Sequence, residues 1–302
     1  MKPPPFAYRA PESLGEALAL LAEHGDDAKV LAGGQSLVPL LNLRLARPAL
    51  LVDLARVPGL AGVDQRDGGL ALGAMARERT LERSQLVRRL APLLSAALPF
   101  IGHPAIRSRG TLGGSLAHAD PAAELPAVAA ALDAEMVVLS AARGERTVAA
   151  KDFFSGFFST ALEPDEILTE VRIPRLATGM GVCFMEVARR HGDFAMVGVA
   201  VAVRLEAGNI AEARLALTGV AQVPVRAIDA ERSLVGAAPD PTRFAGVAEA
   251  VADGLEPRSD LHGSSGYRRQ VARALVRRAL AVASRRAAVH NSQRDLGEGD
   301  TG

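Results

Sequence analysis

Cysteine is nearly absent: Cys183 is the only one in 302 residues. A lone thiol makes neither an internal disulfide nor a thiolate cluster site, so any iron–sulfur chemistry has to come from another chain. There is no tryptophan and aromatics make up 4% of the residues, so the core must be aliphatic. Charge of either sign is not in excess. A formal net charge of +1 argues against a nucleic-acid binder, which draws affinity from a basic surplus. No apolar run reaches the roughly 18–20 residues that span a bilayer. The opening MKPPPFAYRAP also lacks the apolar stretch and cleavage site of a signal peptide. A cytoplasmic protein with no membrane span is the expectation.

Familiar fingerprints are missing too. Without G-x-G-x-x-G an ordinary Rossmann site is not supported, and without G-x-x-x-x-G-K-[ST] an ATPase is not. A nucleophile elbow needs G-x-S-x-G. Neither Gly34-Gln35-Ser36-Leu37-Val38 nor Gly113-Gly114-Ser115-Leu116-Ala117 closes with the second glycine.

What the chain does have is length for two or three domains and two glycine pairs in similar settings. An extended proline-rich lead-in precedes a helix whose Ser13 and Glu16 have capping-box spacing and whose end is marked by Gly25. Lys29-Val30-Leu31 reads as a strand running into Gly33-Gly34. Ser36 is then placed to cap a second helix through Leu45, and Ala49–Leu54 reads as a buried strand. A second unit follows with a hairpin about Asp67-Gly68-Gly69, helix from Thr80 to Leu98 interrupted at Pro92, a second hairpin at 136–148, and a strand at 167–173. The glycine- and proline-rich stretch 174–181 marks a boundary. Beyond it come antiparallel strands near 184–187, 198–205 and 213–218, then helices at 227–235, 242–252 and 264–290, the last studded with arginine. The domains expected are 1–55, 56–175 and 180–290, with a disordered polar tail at 291–302.

The chemistry concentrates in IGHPAIRSRGTLGGSLAHADPAAELPAVAAAL, residues 101–132. Adjacent glycines either make a tight turn or let backbone amides approach a ligand with no Cβ in the way. Successive amides turned into one concavity hold an anion. Two such nests, Ala32–Ser36 and Thr111–Ser115, each flanked by hydroxyls, can grip a pyrophosphate from opposite sides. Ser115, His118 and Asp120 lie too close together for a catalytic triad, whose members approach from different directions. His118 and Asp120 either touch ligand or bond within the turn and cap the next helix. Arg107 and Arg109 form ion pairs or set a positive field near phosphates. The charged corner at 186–195 is either solvated or turned toward the glycine nests. The arginines of the last helix form a solvated face or an interface with a larger complex.

Three segments, LAGGQSLVPLLNLRLARP, IGHPAIRSRGTLGGSLAHADPAAELPA and FMEVARRHGDFAMVGVAVAV, in this order, closely resemble the FAD-binding medium subunit of molybdenum hydroxylases. Aerobic carbon monoxide dehydrogenase-like and nicotine or xanthine dehydrogenase-like enzymes are the nearest of these. The resemblance spans residues 3–290. It implies an α+β fold: a two-lobed FAD-binding domain of the vanillyl-alcohol-oxidase/PCMH type, then a C-terminal α+β domain with an antiparallel sheet and helices. It further implies FAD, with the pyrophosphate held mainly by backbone amides of Leu31, Ala32, Gly33, Gly34, Gln35, Ser36 and Leu37, and of Thr111, Leu112, Gly113, Gly114 and Ser115. Asp120 belongs to the same motif. By the same resemblance Glu124 meets the adenosine ribose and Leu168 packs on the cofactor. No catalytic acid, base or metal ligand is expected on this chain. Substrate oxidation falls to a large molybdenum-cofactor subunit. Electrons reach this FAD from two-iron, two-sulfur clusters on a small subunit, in a heterotrimer that dimerises, and leave to an external acceptor. The branch of the family with an inserted cysteine-bound cluster is excluded by the single Cys183. A free-standing FAD-dependent oxidase and a non-enzymatic nucleotide-binding assembly module are the alternatives.

Overall fold

The structure is a computed structural model that describes residues 2–67 and 69–290 in full, and the backbone of 291–298. The tail expected at 291–302 falls outside the fully described residues, as does Gly68 of the first hairpin. The backbone divides into two units, residues 1–86, 103–120 and 133–174, and residues 87–102, 121–132 and 175–302.

The first unit holds two main sheets. In the smaller, Leu50–Asp53 lies between Ala7–Arg9 and Ala28–Leu31, all parallel. The helix Leu14–His24 covers it, burying Ala17, Leu18 and Leu21 against Leu50 and Val52. Its start is close to the capping box foreseen. Ser13 Oγ accepts the Glu16 amide at 3.1 Å, but the Glu16 carboxylate reaches back to the amide of Glu12 rather than to that of Ser13. Gly25 ends the helix at φ +51°, a conformation that favours glycine. The larger sheet is antiparallel, in the order Val63–Arg66, Gly69–Gly73, Glu166–Ile173, Glu135–Ser140, Gly144–Ala149. Its central strand is bulged between Leu168 and Glu170. Buried Glu166 anchors it, taking two bonds from Arg146 at 2.8 and 2.7 Å.

The sequence expectation of one interrupted helix from Thr80 becomes three short ones, Glu78–Arg83, Gln85–Leu90 and Pro92–Ala97, with Pro92 at the start of the third. There its missing N–H costs nothing. Pro126 likewise falls in the first turn of its helix, Glu124–Ala131.

The second unit packs helices on an antiparallel sheet of Gly181–Val187, Val197–Glu206, Asn209–Thr218 and Val225–Arg226. Ala207 and Gly208, both at positive φ, make the tight turn that joins the two long strands. The core is aliphatic: Val197, Val199, Val201 and Val203 meet Ala272, Val276, Ala279 and Leu280 of the long helix Ser265–Glu298. The arginines of that helix are not all solvated. Arg268 is buried, donates to the carbonyls of Met196 and Gly219 and pairs with Asp260 at 2.7 Å. Arg286 donates to the Val182 carbonyl at 2.7 Å. These two tie helix to sheet. Among the described residues no helix is long and apolar enough to cross a membrane.

Candidate functional site

Both glycine pairs lie in the first unit, and the fold brings them together. Leu31 ends its strand, and Ala32–Ser36 turns into the short helix Leu37–Asn42. A Cβ on Gly33 would stand 2.4 Å from the Arg109 carbonyl oxygen and 2.9 Å from Gly110 Cα. Only glycine permits that approach of one backbone to another. A Cβ on Gly114 would meet Thr111 Oγ1 at 2.6 Å and the Ala32 methyl at 3.4 Å. The first loop therefore abuts the second at two points.

The loops differ in what their amides do. Among the described residues, no protein acceptor takes the amides of Gly33, Gly34, Gln35, Ser36 or Leu37. Gln35 folds its own amide group onto the Gly33 carbonyl at 3.1 Å, and Gly34 sits at φ +72°. Ser36 occupies the helix N-cap position, but its hydroxyl makes no cap bond, contrary to the sequence expectation. A run of five half-buried or buried amides is costly unless something accepts from them. An anion is the natural acceptor.

The second loop is not the strand-to-turn nest the sequence suggested. Thr111 caps the helix Leu112–His118, placing Leu112 to Ser115 in its first turn. The Leu112 amide donates to Ala76 O at 3.0 Å, Gly113 to Ala74 O at 2.8 Å, Gly114 to Thr111 Oγ1 at 3.1 Å and Ser115 to Thr111 O at 3.1 Å. Its amides are taken. Gly113 serves packing, since a Cβ there would lie 2.4 Å from the Ala74 methyl. The half-buried Gly114 and Ser115 remain as open surface.

The lead-in to this loop is pinned by residues that the sequence did not single out. Arg77 donates to the Arg109 carbonyl, and the Glu78 amide donates to Gly110 O at 3.0 Å. Arg107 is buried and bound to Glu82 through Nε at 3.0 Å and Nη2 at 3.2 Å, while Arg79 bonds the same carboxylate at 2.7 Å. Burial raises the Glu82 pKa, but the Arg107 and Arg79 hydrogen bonds outweigh it and hold the carboxyl below its ordinary range. Arg107 thus makes an ion pair within the unit, whereas the Arg109 side chain is exposed. No helical-face pattern announces Glu82 as its partner, which is why sequence reasoning missed it.

His118 ends the helix and is followed by Ala119 at φ +51°. Burial lowers its pKa, against a smaller opposing effect of the Asp120 charge. Asp120 does not cap the helix Glu124–Ala131, whose N-cap is Ala123 with no side-chain bond. Leu168 is buried at the bulge of the central strand, on which the helix Leu112–His118 packs.

Glu124 belongs to the second unit. It is buried at the start of its helix, and its charge adds to the burial that pushes Glu186 up to about 8. Among the described residues, Glu186 Oε2 is buried with no hydrogen-bond partner. The corner that follows, Arg189 to His191 with Asp193 and Phe194, is exposed.

Residues 4–176 match the family model of the FAD binding domain in molybdopterin dehydrogenase, and residues 182–283 that of the CO dehydrogenase flavoprotein C-terminal domain. The chain belongs to the FAD-binding subunits of the molybdenum hydroxylase family. It is 46% identical to the alpha subunit of the 6-hydroxypseudooxynicotine dehydrogenase complex of Paenarthrobacter nicotinovorans, over 95% of this chain and 97% of that one. It is 40% identical to the carbon monoxide dehydrogenase medium chain of Hydrogenophaga pseudoflava, over 95% of this chain and all of that one. Quinoline 2-oxidoreductase from Pseudomonas putida 86 contains a chain that superposes with a TM-score of 0.91 at 44% identity, covering 95% of this chain and 99% of its own. Membership makes the protein an FAD-binding oxidoreductase component, which sets aside the non-enzymatic assembly module.

Proposed function

We propose that the chain is the electron-transfer subunit of a molybdenum-containing hydroxylase or dehydrogenase. In this reading it takes electrons from two-iron, two-sulfur clusters of a small partner subunit and passes them through FAD to an external acceptor. A large molybdenum-cofactor subunit oxidises the organic substrate, and the three chains form a heterotrimer that dimerises in the cytoplasm. The near-full-length match to subunits and medium chains of named dehydrogenases supports this over a free-standing oxidase.

The observation that carries FAD binding on this chain is the run of amides from Gly33 to Leu37 with no protein acceptor, lying where the second loop closes on the first. We assign the pyrophosphate chiefly to those amides. Leu31 and Ala32 shape the strand end behind them. Thr111, Leu112, Gly113, Gly114 and Ser115 supply the facing wall, by close approach and hydroxyls rather than by amides. Asp120 and Leu168 border the cofactor from the same unit, and Glu124 is assigned the ribose. Bound FAD supplies a carrier that exchanges electrons singly or in pairs, while the protein positions it and tunes its electronics.

The test has two stages. The purified chain should show an oxidised-flavin spectrum and release about one FAD per chain on acid treatment. A colourless chain that refuses added FAD, alone and with its partner subunits, would overturn the binding assignment. With the assembled complex, bleaching of that flavin by organic substrate should require the iron–sulfur subunit. Substrate-driven bleaching of the isolated chain would instead establish the free-standing oxidase.

A further inference from the structure

The short helix Leu37–Asn42 ends in a way that leaves apolar side chains outside. Its closing bonds run from the Arg44 amide to Leu41 O at 3.0 Å and from the Leu45 amide to Leu40 O at 2.9 Å, with Arg44 at φ +59°. In this kind of helix stop glycine usually takes the left-handed place, and the next residue packs back on the helix. Neither holds here. An arginine takes the strained place, and Leu45 after it is 73% exposed. Leu43 before it is 58% exposed, and Val38 in the first turn is exposed as well. In water the fold gains nothing from displaying two leucines about a strained residue.

A second segment widens this surface. Arg44 Nε donates to Lys2 O at 3.4 Å and the Ala7 amide to Ala49 O at 2.8 Å, so residues 2–7 run beside 44–49 and bring exposed Phe6 alongside. Pro3, Pro4 and Pro5 offer no N–H to an added strand, so the surface is read through side chains. Two guanidiniums rim it. Among the described residues, Arg44 and Arg47 donate to the carbonyls of Lys2 and Arg44 and meet no carboxylate. An apolar centre with an arginine rim is the make-up of a protein-binding patch, and it fits a partner whose own rim is acidic. The patch adjoins the first glycine loop, since a Cβ on Gly34 would meet the Val38 side chain at 3.3 Å.

We propose that Val38, Leu43 and Leu45, rimmed by Arg44 and Arg47, dock the subunit that carries the iron–sulfur clusters, through an apolar hollow edged by carboxylates. The inference rests on the reading that a partner chain delivers electrons to FAD held by that loop. Electron transfer falls off steeply with distance, so the chain bearing the clusters has to sit beside the loop that holds the flavin. A chain that only oxidises substrate has no such need.

The test measures binding of the purified iron–sulfur subunit to the FAD-loaded chain at low and high salt. It compares wild type, the double variant Leu43→Ser with Leu45→Ser, and Arg47→Glu. Loss of two apolar anchors should weaken capture by about tenfold or more. Both leucines already face water, so the double variant should keep its FAD and its unfolding midpoint. Arg47→Glu should weaken capture by several-fold at low salt and flatten its salt dependence. Unchanged capture by the double variant would overturn the proposal. So would intact capture with self-association of the chain lost, which would assign the patch to a second copy. If the double variant sheds its FAD, Arg47→Glu decides, and wild-type capture and salt dependence there would overturn the proposal. A wild-type chain that captures no iron–sulfur subunit would take down the electron-transfer reading itself. That outcome is distinct from wild-type capture that the variants leave intact.

Discussion

Gly33 and Gly34 are adjacent, yet an added methyl group would meet different things at each. At Gly33 it would press on the Arg109–Gly110 backbone at 2.4 and 2.9 Å, which has no rotamer through which to yield. At Gly34 it would touch only the side chains of Leu31 and Val38 at 3.3 Å, though at a strained φ of +72°. Gly33→Ala should therefore pry the two loops apart and strip the chain of FAD on desalting. Gly34→Ala should retain FAD with an affinity several-fold weaker, since the strain amounts to about 1 kcal/mol. Released FAD per chain reads both. Equal retention by Gly33→Ala and wild type would show that the contact between the loops does not shape the site. These two glycine pairs were legible in the sequence because each is flanked by hydroxyl residues, unlike Gly68-Gly69 of the first hairpin. Their separate duties were not. Gly113 is fixed by Ala74, and Gly114 by Thr111 and Ala32, and only the fold reveals the first and last of those neighbours.

At the scale of elements, regular periodicity read well and short pieces did not. The two hairpins of the larger sheet, the central strand ending before Pro174 and the three long strands of the second unit follow from alternation and turn residues. The two-residue strand Val225–Arg226 and the small hairpin of Phe154–Gly156 and Ser159–Thr160 do not. Helices of four to seven residues, such as Pro104–Arg107 and Leu112–His118, carry too few turns for a pattern to emerge. Leu112–His118 was missed because its first turn contains the two glycines that resembled a loop. What holds Pro104–Arg107 is the Arg107–Glu82 pair, joining elements 25 residues apart in sequence. Glu82→Gln removes the counter-charge while leaving Arg107 buried. Breaking one side of a buried pair costs about 3–5 kcal/mol, less here because the amide oxygen of Gln still accepts one of the lost hydrogen bonds. A loss on the order of 2–3 kcal/mol is expected in urea denaturation, with the slope unchanged. A change within 0.5 kcal/mol, roughly the range of an ordinary surface substitution, would show that the pair does not hold the loop's lead-in.

Across the whole molecule, the shifted carboxyl groups pull stability in opposite directions with pH. Glu82, Asp165, Glu166 and Asp260 are all held below their ordinary values by arginine partners. Their stabilisation is present above the ordinary carboxylate range and lost as pH falls through the lowered native values. Glu186 does the reverse. Burial first, and the Glu124 charge second, raise it from 4.5 to about 8. Its contribution is complete below pH 4.5 and disappears as pH rises through about 8. Neither limb was visible in the sequence, because residues 124 and 186 become neighbours only through the fold. Glu186→Gln replaces the acid with an uncharged group of the same shape. It should leave stability little changed near pH 5 and raise it by on the order of 1–2 kcal/mol near pH 9, allowing for partial exposure. Thermal or urea unfolding of both proteins across that range gives the comparison. Parallel curves would mean that Glu186 ionises freely in the native state, so that its buried oxygen finds a partner on ionisation.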